Sequence, residues 1–173
     1  MVSLPARTGN RCARKPAPII TRKNAAVINV ARRFAGDKTL AEPLRALAEV
    51  GLGYVTLGQA GAALSEGERQ RLRLAQLLVN PGTERVAILL DEPTRGLGFE
   101  EVDRLVQVLH RLAAAGHLVV AVEHDLDFIR SCDWLVDLGP EGGEAGGRIL
   151  IEGPPETVAG CLESYTGQAL SEG

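Results

Sequence analysis

Aromatic residues are scarce in this chain, at 3% of 173 positions, with one Trp, two Tyr and three Phe. A packed core must therefore be aliphatic, and the 45% apolar content suffices for one domain of ordinary size. Cysteine is also rare. Cys12, Cys132 and Cys161 are odd in number and far apart, with no Cys-x-x-Cys pair, which argues against a disulfide framework or a zinc site within the chain. Reduced thiols suit a cytoplasmic protein. Long apolar runs are missing: Val86–Leu90 and Leu118–Val122 fall far short of the roughly 20 residues that cross a membrane as a helix. The N-terminal charges have no apolar segment behind them, so no secretory signal is expected. Also absent is any Gly-x-x-x-x-Gly-Lys-Ser/Thr run, the loop whose N–H groups and Lys cradle phosphates. Gly36-Asp37-Lys38-Thr39 imitates only the end of such a loop.

What is present is unevenly charged. Residues 1–40 hold nine Lys or Arg against the single acid Asp37, while residues 41–173 hold ten against 21 acids. A basic arm on an acidic body is a footprint of nucleic-acid contact. It is also the composition of a solvated, disordered tail, which is the reading we prefer. Residues 1–38 are aperiodic and broken by Pro5, Pro16 and Pro18, which predicts a loose arm; Ile19–Val30 fits a short strand or a short helix.

Order is expected from Thr39. Leu40, Leu44, Leu47 and Val50 keep helical spacing until Gly51 and Gly53. A loop, Gly58–Ala63, leads to a helix over Glu66–Val79 with Leu72, Ala75 and Leu78 on one face. Residues 39–80 thus form a helical segment, and residues 81–173 alternate strand and helix. Val86–Leu90 and Leu118–Val122 are continuous apolar runs, the pattern of strands buried on both faces. Phe99–Ala115 is amphipathic, with Val102, Leu105, Val106, Leu109, Leu112 and Ala113 on its apolar side. A short helix is predicted over Asp125–Cys132, strands over Trp134–Leu138 and Arg148–Ile151 around a Gly-rich turn, and a final helix over Pro154–Leu162. The class is α/β with a mainly parallel sheet and flanking helices.

Three clusters carry candidate chemistry. The first strand ends in Asp91-Glu92-Pro93-Thr94, where open α/β sheets bind ligands. In a nucleotide site the first acid can hold a Mg²⁺ shell and the second can orient or deprotonate water; a plain polar turn is the bland alternative. Leu64-Ser65-Glu66-Gly67-Glu68 precedes a helix. Ser65 and Glu68 form a capping box on spacing alone, and the same helix start offers N–H groups to a phosphate oxygen. The second strand ends in Glu123-His124-Asp125, and His124 would lie beside the acid pair if the two strands are neighbours.

In order and spacing these clusters are similar to the signature, Walker B, D-loop and H-loop series of ABC ATPases. The stretches Val50–Gln59, Leu89–Leu97, Asp133–Gly143 and Ile151–Val158 further resemble UvrA, the damage-recognising ATPase of bacterial nucleotide excision repair. The resemblance covers residues 40–165, with Trp134–Gly143 its most specific part. It implies a partial ABC-type nucleotide-binding domain lacking the Walker A segment. It further implies that Ser65 and Gly67 touch the γ-phosphate of ATP held by a different module, and that Asp91 helps to organise Mg²⁺. Glu92 would then act on the hydrolytic water, His124 would sense the γ-phosphate, and the Arg95–Gly98 turn, Gly96 included, would be a D-loop. The implied cofactors are ATP and Mg²⁺ in an assembled site, with none held tightly by this chain alone and no metal centre of its own. The implied partners are a Walker A-bearing module, DNA and excision-repair subunits, with no membrane.

The chain departs from the family pattern in places. Glu66 stands where the first signature glycine is usual, Arg95 where Thr is usual and Gly98 where His is usual. The Q-loop and the Cys-pair zinc modules are missing. The implied role is the C-terminal part of a UvrA-like ATPase in DNA damage recognition, inactive alone. A non-catalytic interaction fragment and a UvrA-like drug-resistance ABC protein are the competing readings.

Overall fold

The computed structural model describes residues 25–139 and 147–172. Three helices come first: α1 (Val27–Arg33), α2 (Lys38–Glu49) and α3 (Glu66–Val79), with one short 3-10 turn at Gly61–Ala63. Then follow β1 (Ala87–Asp91), α4 (Phe99–Ala114), β2 (Leu118–Val122), α5 (Leu126–Arg130), β3 (Leu135–Gly139), β4 (Arg148–Gly153), α6 (Pro155–Ala159) and α7 (Tyr165–Ser171).

Structure therefore begins earlier than residue 39, which corrects the expected boundary of a loose arm at residue 38. Residues 25–28 are tied to the stretch after α2: Val27 N donates to Val55 O (2.9 Å), Ile28 N to Gly53 O (3.0 Å) and Leu57 N to Ala25 O (3.1 Å). Val27, Val30 and Ala31 are buried. Of the two alternatives for Ile19–Val30, the described part from Val27 is helical, with Val27, Val30 and Ala31 at i, i+3 and i+4. The rest of the expected arm, residues 1–24, and most of the Gly-rich turn lie outside the described residues.

Asp37 caps α2 by accepting from Thr39 N (3.1 Å). The helix stops at Val50, and Gly51 adopts φ +76°, a left-handed backbone that glycine takes without steric cost. The expected α2 stripe holds at its C-terminal end, where Val50 is buried and Leu47 packs against the core, but Leu40 is exposed and Ala41 and Ala46 are buried instead. The expected face of α3 packs on the core, with Ala75 buried and Leu72 and Leu78 against it, and Arg71 and Leu74 are buried beside them. Val102, Leu105, Val108, Leu109 and Leu112 of α4 form the centre of an aliphatic core with Val50, Leu52, Leu74, Ile88 and Leu90. Burial contributes about 1.5–3 kcal/mol for each such side chain, which makes this layer the main source of stability.

The strands pair two by two. β1 and β2 are parallel, in a register from Ala87 opposite Leu118 to Asp91 opposite Val122. β3 and β4 are antiparallel, with an irregularity between Asp137 and Leu138. Asp137 accepts from Ser164 Oγ (2.6 Å) and Thr166 Oγ1 (3.0 Å), anchoring α7, a helix missing from the sequence-based expectation. The expectation that β1 and β2 are buried on both faces does not hold for the described residues. Ile88 and Leu90 face the core, but Leu89 is 73% exposed and Leu118, Val120 and Val122 are exposed on β2. The helical layer covers one face, and no described element covers the other. No helix among the described residues is long and apolar enough to cross a membrane.

Candidate nucleotide-hydrolysis site

Because β1 and β2 run parallel and in register, their C-terminal ends open side by side. The ladder continues one step past Asp91, since Glu92 N donates to Val122 O (2.9 Å). There the chain turns sharply. Glu92 has φ +43°, the only positive value at a non-glycine among the described residues. Its half-exposed carboxylate lies 3.9 Å from His124 Nδ1 and 3.3 Å from the Arg95 guanidinium. An open cavity of about 520 Å³ forms at this point, lined by Glu92, Thr94, Arg95, Gly96, His124 and Asp125. Gly96 also has positive φ, +78°, and a Cβ there would meet no atom within 4 Å, so backbone geometry rather than crowding calls for glycine.

The structure thus brings together Glu92, His124 and Gly96. Asp91 is not among the lining residues; it is exposed, and its N–H donates to Gln70 Oε1 (3.3 Å) on α3. Ser65 and Gly67 stand at the start of α3 and do not line the cavity either. There Ser65 Oγ accepts from Glu68 N (3.2 Å) and Ser65 N donates to Glu68 Oε2 (2.6 Å), a complete capping box. Tyr54 Oη donates to the other Glu68 oxygen. That bond holds the Glu68 carboxyl below the usual range, helped by the Ser65 N–H. Glu66, exposed, is hydrogen-bonded by Arg69 (2.5 and 3.0 Å), which holds its carboxyl low and draws its charge toward the guanidinium.

No protein-family model matches the chain. UvrABC system protein A of Escherichia coli strain K12 is 50% identical over 137 residues, covering 79% of this chain and 15% of that protein. The Xanthomonas axonopodis protein of the same name is 48% identical over 141 residues, covering 82% and 14%. The crystal structure of UvrA2 from Deinococcus radiodurans superposes with a TM-score of 0.76 at 40% identity, over 87% of this chain and 18% of that one. Over the matched stretch, the chain belongs to the UvrA family. It spans about 15% of the length of the curated relatives it matches. RNase-L Inhibitor shares the fold at 24% identity, with a TM-score of 0.50 over 81% of this chain. The architecture is a partial α/β domain of ABC type.

Three residues of this UvrA-like site were not singled out from the sequence. Glu123 reaches across from β2 to the turn after β1: its Oε1 accepts from Thr94 N (2.7 Å) and Thr94 Oγ1 (2.6 Å), and its Oε2 accepts from His124 N (2.9 Å) and Asp125 N (3.2 Å). Partial burial pushes the Glu123 carboxyl up, but these hydrogen bonds outweigh it and hold the group below the ordinary range. From α3, the buried Arg71 donates to Pro93 O (3.0 Å) and Arg95 O (3.4 Å). Residue type gave no signal for Thr94 or Arg71. For Glu123 the only signal was an acid directly after an apolar strand, beside a histidine.

Proposed function

We propose that this chain supplies the signature, Walker B and H-loop residues of a UvrA-like ABC ATPase, acting on ATP whose phosphates a Walker A-bearing module of another chain holds. The observation that carries the reading is the Glu92–His124 pair, 3.9 Å apart at the ends of two paired parallel strands. In this role Glu92 orients the attacking water and takes its proton, and His124 donates to the terminal phosphate. Asp91 joins the Mg²⁺ water shell. Ser65 uses a lone pair of its hydroxyl oxygen in the cap, so its O–H proton remains for a phosphate oxygen, alongside Gly67 at the same helix start. Gly96 lets the D-loop turn meet the other module. ATP supplies the phosphoanhydride bond and Mg²⁺ neutralises its charge.

The donor set fits this division of labour. The sequence has no phosphate-cradling loop of the Gly-x-x-x-x-Gly-Lys-Ser/Thr kind. The hydrolytic groups are at hand, and the groups that would retain the nucleotide belong elsewhere. The Glu66 carboxylate, paired with Arg69, need not oppose a phosphate at the signature. In the cell this chain serves as the C-terminal part of a cytoplasmic UvrA-like protein that couples ATP to DNA damage recognition in nucleotide excision repair, with DNA and the other excision-repair subunits as partners.

ATP turnover tests the proposal. The purified chain alone shows none above background, and mixing with a Walker A-bearing half produces turnover that Glu92→Gln abolishes. Robust turnover by the chain alone, or none in the mixture, refutes it.

A further inference from the structure

We infer that Glu123 is a positioning residue that holds Glu92 and His124 in working geometry by clamping the turn after β1 to the turn after β2. This deepens the proposed function and rests on its reading of Glu92 and His124 as the hydrolytic pair.

Glu92 sits in a left-handed backbone conformation, which a residue with a Cβ leaves unless its neighbours fix it. On its N-terminal side it is fixed by the bond from its own N–H to Val122 O. Two residues on, Thr94 is fixed by Glu123 through both its N–H and its hydroxyl. The other oxygen of the same carboxylate fixes the backbone of His124 and Asp125. One side chain therefore spans the two loops that carry the acid and the imidazole. Arg71 grips the Pro93 and Arg95 carbonyls from the α3 side, so the turn is held on both flanks.

Only a carboxylate suits this place. All four groups pointing at it are donors, and each oxygen takes two of them. A glutamine offers one accepting oxygen, and in either orientation its NH₂ would face at least one backbone N–H, because only the Thr94 hydroxyl can turn to accept. Aspartate is one methylene shorter and cannot span the same gap.

The test reads the pair directly in the full chain. Glu92→Gln shifts the His124 ring resonances, because the two groups are adjacent. In a Glu123→Gln background that shift disappears, although circular dichroism shows the chain folded. An equal shift in both backgrounds overturns the inference. Thr94→Val, which removes one of the four donors and keeps the shape of the side chain, reduces the shift; if Glu123→Gln does not fold, an undiminished shift in Thr94→Val overturns the inference.

With a Walker A-bearing half, Glu123→Gln lowers kcat about 10- to 100-fold, the scale of a small misplacement of reacting groups, and leaves KM for ATP unchanged. An unchanged kcat, or an equal change in both constants, overturns the positioning role. If the unmodified chain shows no turnover in the mixture, the ATPase reading falls, and the resonance measurement decides the clamp by itself.

Discussion

The left-handed backbone of Glu92 is the feature on which the site turns. A side chain with a Cβ costs about 1–2 kcal/mol in this conformation, and the cost disappears for glycine. Glu92→Gly should therefore exceed Glu92→Ala in stability by up to about 1 kcal/mol after the added unfolded-state entropy of glycine. Urea midpoints of the two variants, neither of which has the carboxylate, check this; an Ala variant as stable as the Gly variant would mean that the turn relaxes. Glu123 makes a second prediction at this scale. Its folded-state pKa is lowered, by hydrogen bonds from Thr94, His124 and Asp125 that outweigh burial. Its contribution to stability is thus complete above the ordinary glutamate value of about 4.3 and drains away as pH falls through the lowered folded value. The acid limb of Tm against pH should be shallower in Glu123→Gln than in the unmodified chain, with the two curves parallel near neutrality. Identical acid limbs would show that the carboxylate is not held this way.

Among the elements, α3 shows how a structural and a chemical role share one residue. Ser65 caps the helix by accepting from Glu68 N, and its proposed work on a phosphate needs the hydroxyl to donate. Aspartate can cap and cannot donate. Ser65→Asp should leave Tm near that of the unmodified chain, whereas Ser65→Ala loses about 1 kcal/mol. Both should lose turnover in the assembled site, Asp more completely because its charge opposes a phosphate. Turnover retained in Ser65→Asp would reduce Ser65 to a cap. The box was legible in the sequence because capping depends on local spacing, Ser65 to Glu68. The apolar side of α3 was legible too, but the burial of Arg71 was not, because it is buried for its hydrogen bonds to the Pro93 and Arg95 carbonyls, and an apolar pattern does not register a buried cation. For the same reason the pairing of residues 25–28 with 53–57 stayed hidden: backbone bonds between distant segments leave no periodic trace.

At the level of the whole molecule, the apolar runs of β1 and β2 were legible as strands, and their parallel register places Glu92 beside His124. What the runs could not tell was how much cover this chain itself provides. Leu89 and Val122 are 73% and 66% exposed, and Leu118 and Val120 share their side of the sheet. A run apolar on both sides of a strand is the composition of a sheet covered twice, and the described helices cover it once. Exposed apolar surface of this kind drives association. Threonine keeps strand propensity and lowers that drive, so Leu89→Thr combined with Val120→Thr should reduce concentration-dependent association in sedimentation experiments. Both positions are solvent-exposed, so the pair should change stability by no more than about 0.5 kcal/mol per site. The same substitutions should weaken productive mixing with a Walker A-bearing half if that half covers this face. Turnover would then fall at low partner concentration and recover at high concentration, because binding is impaired while Glu92 and His124 are untouched. A fall that saturating partner does not reverse would place the damage in the hydrolytic pair and deny the face its role in assembly.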